Sequence, residues 1–233
     1  MTMSFPLARG SRLTAALIGD EREPVLQTEA MLAEPGKLIE LAVHSDFAPA
    51  YGPRGGYPGL RAVLPDEYVA TVVNALAGPL AEAFALGSIR PIRAQGVFSV
   101  VTLPTDALVA PQRAPHVDSV DTMQFAILHY LCDGAFGGTS FYRHRATGFE
   151  SLTQERLPAY TARRAGEDPA AGYVDDGAPW FERTGQVSAS MNRLVAYRSC
   201  VLHSGHIPAP ELLTSDPRRG RLTANVFVTF APA

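Results

Sequence analysis

Lysine is almost missing from this chain: Lys37 stands alone beside 19 arginines in 233 residues. The net formal charge is −3, so there is no basic field of the kind nucleic acid requires. The arginine excess reads as the codon bias of a GC-rich genome rather than as a binding surface. Cysteine is scarce as well. Cys132 and Cys200 both lie in apolar runs, where free, buried thiols are expected rather than a disulfide. No apolar run approaches the ~20 residues that span a bilayer, which excludes a membrane helix. The opening residues show no charged stretch followed by an apolar one, and a cytoplasmic location is the expectation. What is present is ordinary for a globular protein with a sizeable core: 46% apolar and 18% charged residues, in a length that fits one domain.

The pattern along the chain divides in two. Glu23–Thr28 reads as a short strand, and Lys37 to His44 as helical. Ala48–Pro65 is so rich in proline and glycine that a loop is expected. Asp66 to Leu86 carries apolar residues at helical spacing (Tyr68, Val69, Val72, Val73, Leu76, Leu80, Phe84), with Gly78-Pro79 expected to break or kink it. From Gly96 the period changes. Val97–Leu103, Gln124–Cys132, Thr139–Arg145, Arg193–Tyr197, Val201–His203 and Leu222–Phe230 are short, β-branched or aromatic runs separated by glycine and proline. Glu150–Ala165 reads as a polar helix and Gly166–Val187 as a long acidic loop. Helices first and strands afterwards predict an α+β fold, a jelly-roll (double-stranded β-helix) core braced by N-terminal helices. We expect one domain over residues 1–233, with 1–95 bracing a core at 96–233 and 150–187 inserted as a mobile lid.

Three separated pieces carry chemistry. In His116-Val117-Asp118 the imidazole and the carboxylate fall on one side of an extended segment, because side chains repeat every second residue. Pro115 holds the preceding Ala114 extended. His203 follows eighty-five residues after Asp118. Two histidines and one carboxylate, leaving one face open, are the ligand set of non-haem Fe(II) oxygenases. His206 competes with His203 but lies beyond Gly205, where a strand is expected to have ended. Arg221 opens the last apolar strand, so its guanidinium is expected to reach inward and to need a carboxylate partner. Arg218 and Arg219 belong to the preceding turn.

In this order, residues Phe98 to Phe230 resemble the prolyl-hydroxylase-like branch of the Fe(II)/2-oxoglutarate dioxygenases. Tyr57-Pro58-Gly59 resembles a motif of one bacterial domain-of-unknown-function family of oxygenases within it. The resemblance implies iron ligation by His116, Asp118 and His203. It assigns the distal carboxylate of the 2-oxoglutarate co-substrate to Arg221, with Tyr130 beside it. Gly137-Gly138-Thr139 would form the turn after the strand of Tyr130. The eighteen positions between His203 and Arg221 exceed the family's usual spacing, which keeps Arg219 in view. Implied partners are O2 and a small-molecule or amino-acid or peptide substrate, hydroxylated at a C–H bond. No nucleic-acid or membrane partner is expected.

Phe98, Val100, Phe125, Ile127, Phe141, Val226 and Val228 are expected to face the sandwich and keep the cavity dry. Arg113, Ser119, Arg143, His144 and Arg145 could border its mouth, and Trp180-Phe181 could close over it. Two other classes fit the sequence: a cupin-like metal enzyme, which gives Arg221 no role, and a non-catalytic jelly-roll binding module.

Overall fold

The computed structural model describes residues 3–176 and 178–233. Eleven strands and three α-helices follow in the order β1 (Thr14–Ile18), β2 (Glu23–Thr28), α1 (Gly36–Val43), β3 (Ala48–Gly52), β4 (Gly55–Val63), α2 (Asp66–Ala83), β5 (Ile89–Val101), β6 (Gln124–Tyr130), β7 (Gly138–His144), α3 (Leu157–Arg164), β8 (Phe181–Ser188), β9 (Leu194–Arg198), β10 (His203–His206) and β11 (Arg221–Pro232). The fold is α+β. One sheet has eight strands in the order β1-β2-β9-β6-β11-β5-β4-β3, and a smaller one runs β10-β7-β8. All strand pairs are antiparallel. Among the described residues no helix is long and apolar enough to cross a membrane, and both cysteines are free and buried.

Parity along the strands decides what each face does. In β11, Leu222, Ala224, Val226 and Val228 join the cluster formed with Tyr68, Val72, Leu76 and Leu80 of α2. The alternate residues Arg221, Thr223, Asn225 and Phe227 line a cavity on the other face. Phe98, Val100, Phe125 and Ile127 also pack on the helix side, so the expectation that they dry the cavity is corrected. Of that set only Phe141 lies on the inner side, against Tyr130, Val195 and Tyr197. Side chains repeat every two residues in a strand, so an inward Arg221 forces its apolar neighbours outward.

Three further expectations change. Ala48–Pro65 is not a loop but the β3–β4 hairpin at the sheet edge, where proline costs no ladder bond. Gly55 and Gly56 turn it at φ of 105° and 100°. Gly59 lets β4 lie close to β5, because a Cβ there would strike the Val100 carbonyl oxygen. Helix α2 runs through Pro79 to Ala83; the lost backbone bond is offset by burial of Leu80 and Phe84 beneath the last turn. Gly166–Val187 is not wholly loop, since β8 pairs along β7 from Phe181↔His144 to Ser188↔Gly138.

A buried polar relay ties α2 to the sheet. Tyr68 donates to His129 Nδ1 (2.9 Å), and His129 Nε2 donates to Asn192 Oδ1 (2.9 Å). Asn192, at φ 67°, also bonds both backbone groups of Leu32. Burial pushes the His129 pKa from 6.5 down to about 4, against a smaller opposing effect of Asn192. Between those values the unfolded chain takes up a proton that the folded chain refuses. Stability therefore falls as pH drops from 6.5 towards 4 and this contribution then levels off, by on the order of 3 kcal/mol in total. Denaturant titrations at pH 7 and pH 4.5 check this, with His129→Gln expected to lose most of that part of the pH dependence.

Candidate metal centre

Backbone pairing brings the separated motif together. His116 N donates to His203 O and His203 N to His116 O, both at 2.9 Å, so the two residues form one two-way β-bridge. Asp118 N donates to Ser199 O at 2.9 Å, which holds the second member of the pair beside the approach to β10. His116 thus pairs as a single bridge on the outer edge of β10 in the smaller sheet. His116, Asp118 and His203 each offer a ligand atom, and these atoms lie within 4.8 Å of one another. His116 Nε2 is 3.8 Å from Asp118 Oδ1, and His203 Nε2 is 3.4 Å from Asp118 Oδ2.

The protonation state suits a cation. His203 Nδ1 donates to the Val201 carbonyl at 2.9 Å, which leaves Nε2 as the lone-pair nitrogen facing Asp118. The crowding walls of the cavity, and then His203, push the His116 pKa below the usual histidine range; Asp118 acts weakly the other way. Its outer edge still opens to water, with 54% of the side chain accessible. The bond to Val201 holds His203 with Nε2 as its ligand nitrogen. Tyr197 packs edge-on to the His203 ring (centroids 5.0 Å, 63°), and its buried hydroxyl has no hydrogen-bond partner among the described residues.

His206 stays in β10, one residue past the expected strand end, paired with Gly138. It lies outside the ligand group, because an odd number of residues from His203 turns its side chain to the opposite face. Arg219 is exposed in the turn before β11. Arg221 is 3% exposed. Its guanidinium donates from Nε to Phe136 O (3.1 Å) and from Nη2 to Gly138 O (2.6 Å). No carboxylate pairs with it among the described residues. The remainder of the guanidinium faces the cavity.

That cavity, of about 430 Å³, contains the triad and Arg221, a volume within the range of small-molecule sites. Tyr130 is set back from it: its hydroxyl meets Thr139 Oγ1 at 2.6 Å, and Thr139 lines the wall. Tyr57, from the Tyr57-Pro58-Gly59 motif, and Arg61, Tyr197 and Asn225 also line it; none of the four is expected at the site from the sequence. Their common signal is polar character at inward-parity positions of otherwise apolar strands. Asn225 Nδ2 donates to Ser99 Oγ at 3.2 Å, while its Oδ1 is buried without a donor.

The polar residues expected at the mouth are used elsewhere. Arg143 binds Glu150 and Asp20, and His144 is buried against Glu167 at 2.8 Å. Arg113 donates to Leu108 O, and Ser119 Oγ accepts from Asp121 N in a local turn. Phe181 is buried with Leu152, Val174 and Leu202, so it anchors its segment to the body. Glu150, Ser151, Leu152, Val174 and Ala178 of the same segment are buried too, while about half of it is exposed. The part that reaches the cavity is Tyr173, whose hydroxyl donates to Leu103 O at 2.7 Å.

A family model covers residues 9–228. The chain belongs to the family of unknown function DUF6445. No curated protein matches it. Among solved structures it is similar to SnoN, a non-heme alpha ketoglutarate dependent epimerase from nogalamycin biosynthesis. That match has 15% identity and a TM-score of 0.51, and it covers 91% of this chain and 80% of SnoN. A complex of SnoN with Fe3+, alpha ketoglutarate and nogalamycin RO gives 16%, 0.52, 91% and 80%. HygX from Streptomyces hygroscopicus, with nickel, 2-oxoglutarate and hygromycin B bound, is 14% identical at a TM-score of 0.48, covering 96% and 83%. At these identities the likeness to SnoN is one of fold.

Proposed function

We propose that this chain is a non-haem Fe(II)- and 2-oxoglutarate-dependent oxygenase that hydroxylates a C–H bond of a small-molecule or amino-acid or peptide substrate. Its two sheets would be the double-stranded β-helix of that superfamily, in a single domain over residues 1–233, and its motif order favours the prolyl-hydroxylase-like branch. One observation carries the reading. A two-histidine, one-carboxylate group and a buried arginine without a carboxylate share one cavity. A cupin-like enzyme that does not use a 2-oxo acid leaves Arg221 unexplained, since burying an unpaired cation is costly.

The donor set fits Fe(II): two neutral imidazoles and one carboxylate neutralise only part of the charge and leave one face for other ligands. His116, Asp118 and His203 would hold the iron, whose chemistry there would be O2 activation coupled to oxidative decarboxylation of 2-oxoglutarate to succinate and CO2. The chain's own residues hold and orient. The Val201 carbonyl fixes the His203 tautomer, and the two-way bridge fixes His116 against His203. Arg221, braced by Phe136 O and Gly138 O, presents its free edge to the distal carboxylate of the co-substrate. Tyr130 acts through Thr139, setting the wall beside that carboxylate. Leu128, Phe227 and Tyr197 exclude water.

The reading predicts that 2-oxoglutarate and metal bind together. Titrated anaerobically into the Fe(II)-loaded protein, 2-oxoglutarate should bind at least about tenfold more tightly than to the metal-free protein. Equal affinity with and without Fe(II) would mean that the two do not share a site.

A further inference from the structure

We propose that Arg61 anchors a carboxylate carried by the primary substrate, so that the cavity selects small organic anions. The inference rests on the reading above and assigns its substrate class. Arg61, on β4, lines the cavity that holds the triad and Arg221. Its guanidinium lies 4.7 Å over the Tyr57 ring, which fixes its plane. Among the described residues it forms no hydrogen bond or ion pair, and its Nε is buried without a partner.

That is unusual for this protein. Of its other half-buried arginines, five have carboxylates, Arg143 with Glu150, Arg156 with Glu21, Arg164 with Glu167, Arg193 with Glu29 and Arg198 with Glu23, and Arg113 donates to the carbonyls of Leu108 and Ala171. Arg221 is braced by two carbonyls; among the described residues Arg61 is the half-buried arginine with neither a carboxylate nor a carbonyl. A buried donor without an acceptor is costly unless a ligand supplies it.

Arg61 and Arg221 are separate anchors. Arg61 pairs with Ser99 on β5, and Ser99 with Thr223 on β11. Its backbone is therefore two strands from β11, roughly 10 Å, and level with Thr223 rather than Arg221. Charge points the same way. Arg61, Arg221 and Asp118 are the charged side chains of the lining. A divalent metal raises that balance to three positive charges, and a 2-oxo diacid removes two of them. The charge that remains matches a monoanion, and a planar guanidinium held flat on a ring matches a carboxylate in particular.

The probe is para-fluorobenzoate, followed by fluorine NMR with protein loaded with Zn(II) and 2-oxoglutarate. Its signal should broaden with wild type, whereas neutral para-fluorobenzamide should stay sharp. Arg61→Gln should weaken benzoate binding at least about tenfold, and Arg61→Lys should retain part of it. Affinity for 2-oxoglutarate, measured by calorimetry, should stay within about threefold in both variants. Benzoate binding unchanged in Arg61→Gln, or absent in wild type, overturns the proposal. So does a tenfold loss of 2-oxoglutarate affinity in Arg61→Gln, which would assign Arg61 to the co-substrate. Inorganic phosphate that binds at Arg61 where benzoate does not would make the ligand class wrong. If 2-oxoglutarate fails to bind wild type, the oxygenase reading falls; benzoate titrated without it still tests Arg61 alone.

Discussion

Asp118→Ala is expected to lose most Fe(II) binding while the fold survives. Asp118 is the carboxylate member of the ligand group and faces both histidines, at 3.8 and 3.4 Å. Its loss leaves two neutral imidazoles, which hold a divalent cation poorly at an open site. Affinity should fall by more than about 100-fold, beyond what removal of a mere supporting group costs. The fold survives because the metal is not needed to join the elements: His116 and His203 are already bonded through both backbones, and Asp118 contributes its N–H to Ser199 whatever its side chain. His203→Ala should likewise lose metal. His206→Ala, on the opposite face of β10, should keep it. Bound metal per chain, read beside circular dichroism, decides the matter. Full occupancy in Asp118→Ala would mean that the ligands lie elsewhere.

Arg221→Ala should weaken 2-oxoglutarate by roughly 2–5 kcal/mol, the cost of removing one side of a buried charge pair. In affinity that is from about 30-fold to several thousand-fold. The substitution also deletes the bonds to Phe136 O and Gly138 O, so a lower melting temperature accompanies it. Arg221→Lys separates the two effects. It keeps the charge but not the fork that serves both the carbonyls and a carboxylate, and should fall between wild type and alanine. Arg219→Ala should change neither quantity. The readout is the 2-oxoglutarate concentration dependence at saturating Fe(II); a loss carried by Arg219→Ala instead would overturn the assignment of Arg221.

That His116 and Asp118 share a side was legible because their spacing is local physics, and the structure brings His203 to them. A His-x-Asp pair in an extended segment must present both groups on one side, and a second histidine at the head of a strand can join them. The cavity's other polar groups were legible in principle. Arg221, Thr223 and Asn225 share one parity in β11, and following that parity places Leu222, Ala224, Val226 and Val228 on the helix side, where they are found. Hydrophobicity alone misled, because a sheet covered by α2 on one face buries apolar residues away from its own cavity. The β3–β4 hairpin was not legible. Proline and glycine mark turns far more often than strands, and only the edge position of β3 and the close approach at Gly59 make them tolerable. The same hairpin delivers Tyr57 and Arg61, so that local misreading hid part of the cavity. Strand β8 was hidden differently: Phe181–Ser188 is mostly exposed on its outer side and lacks the apolar alternation that marks a strand.

The most direct test of the oxygenase account is succinate formation. Purified protein with Fe(II), 2-oxoglutarate and O2 should release succinate, slowly without substrate and faster with it, and Asp118→Ala should release none under the same conditions. A wild-type protein that holds Fe(II) and 2-oxoglutarate yet forms succinate at no more than the rate of Asp118→Ala would contradict the account.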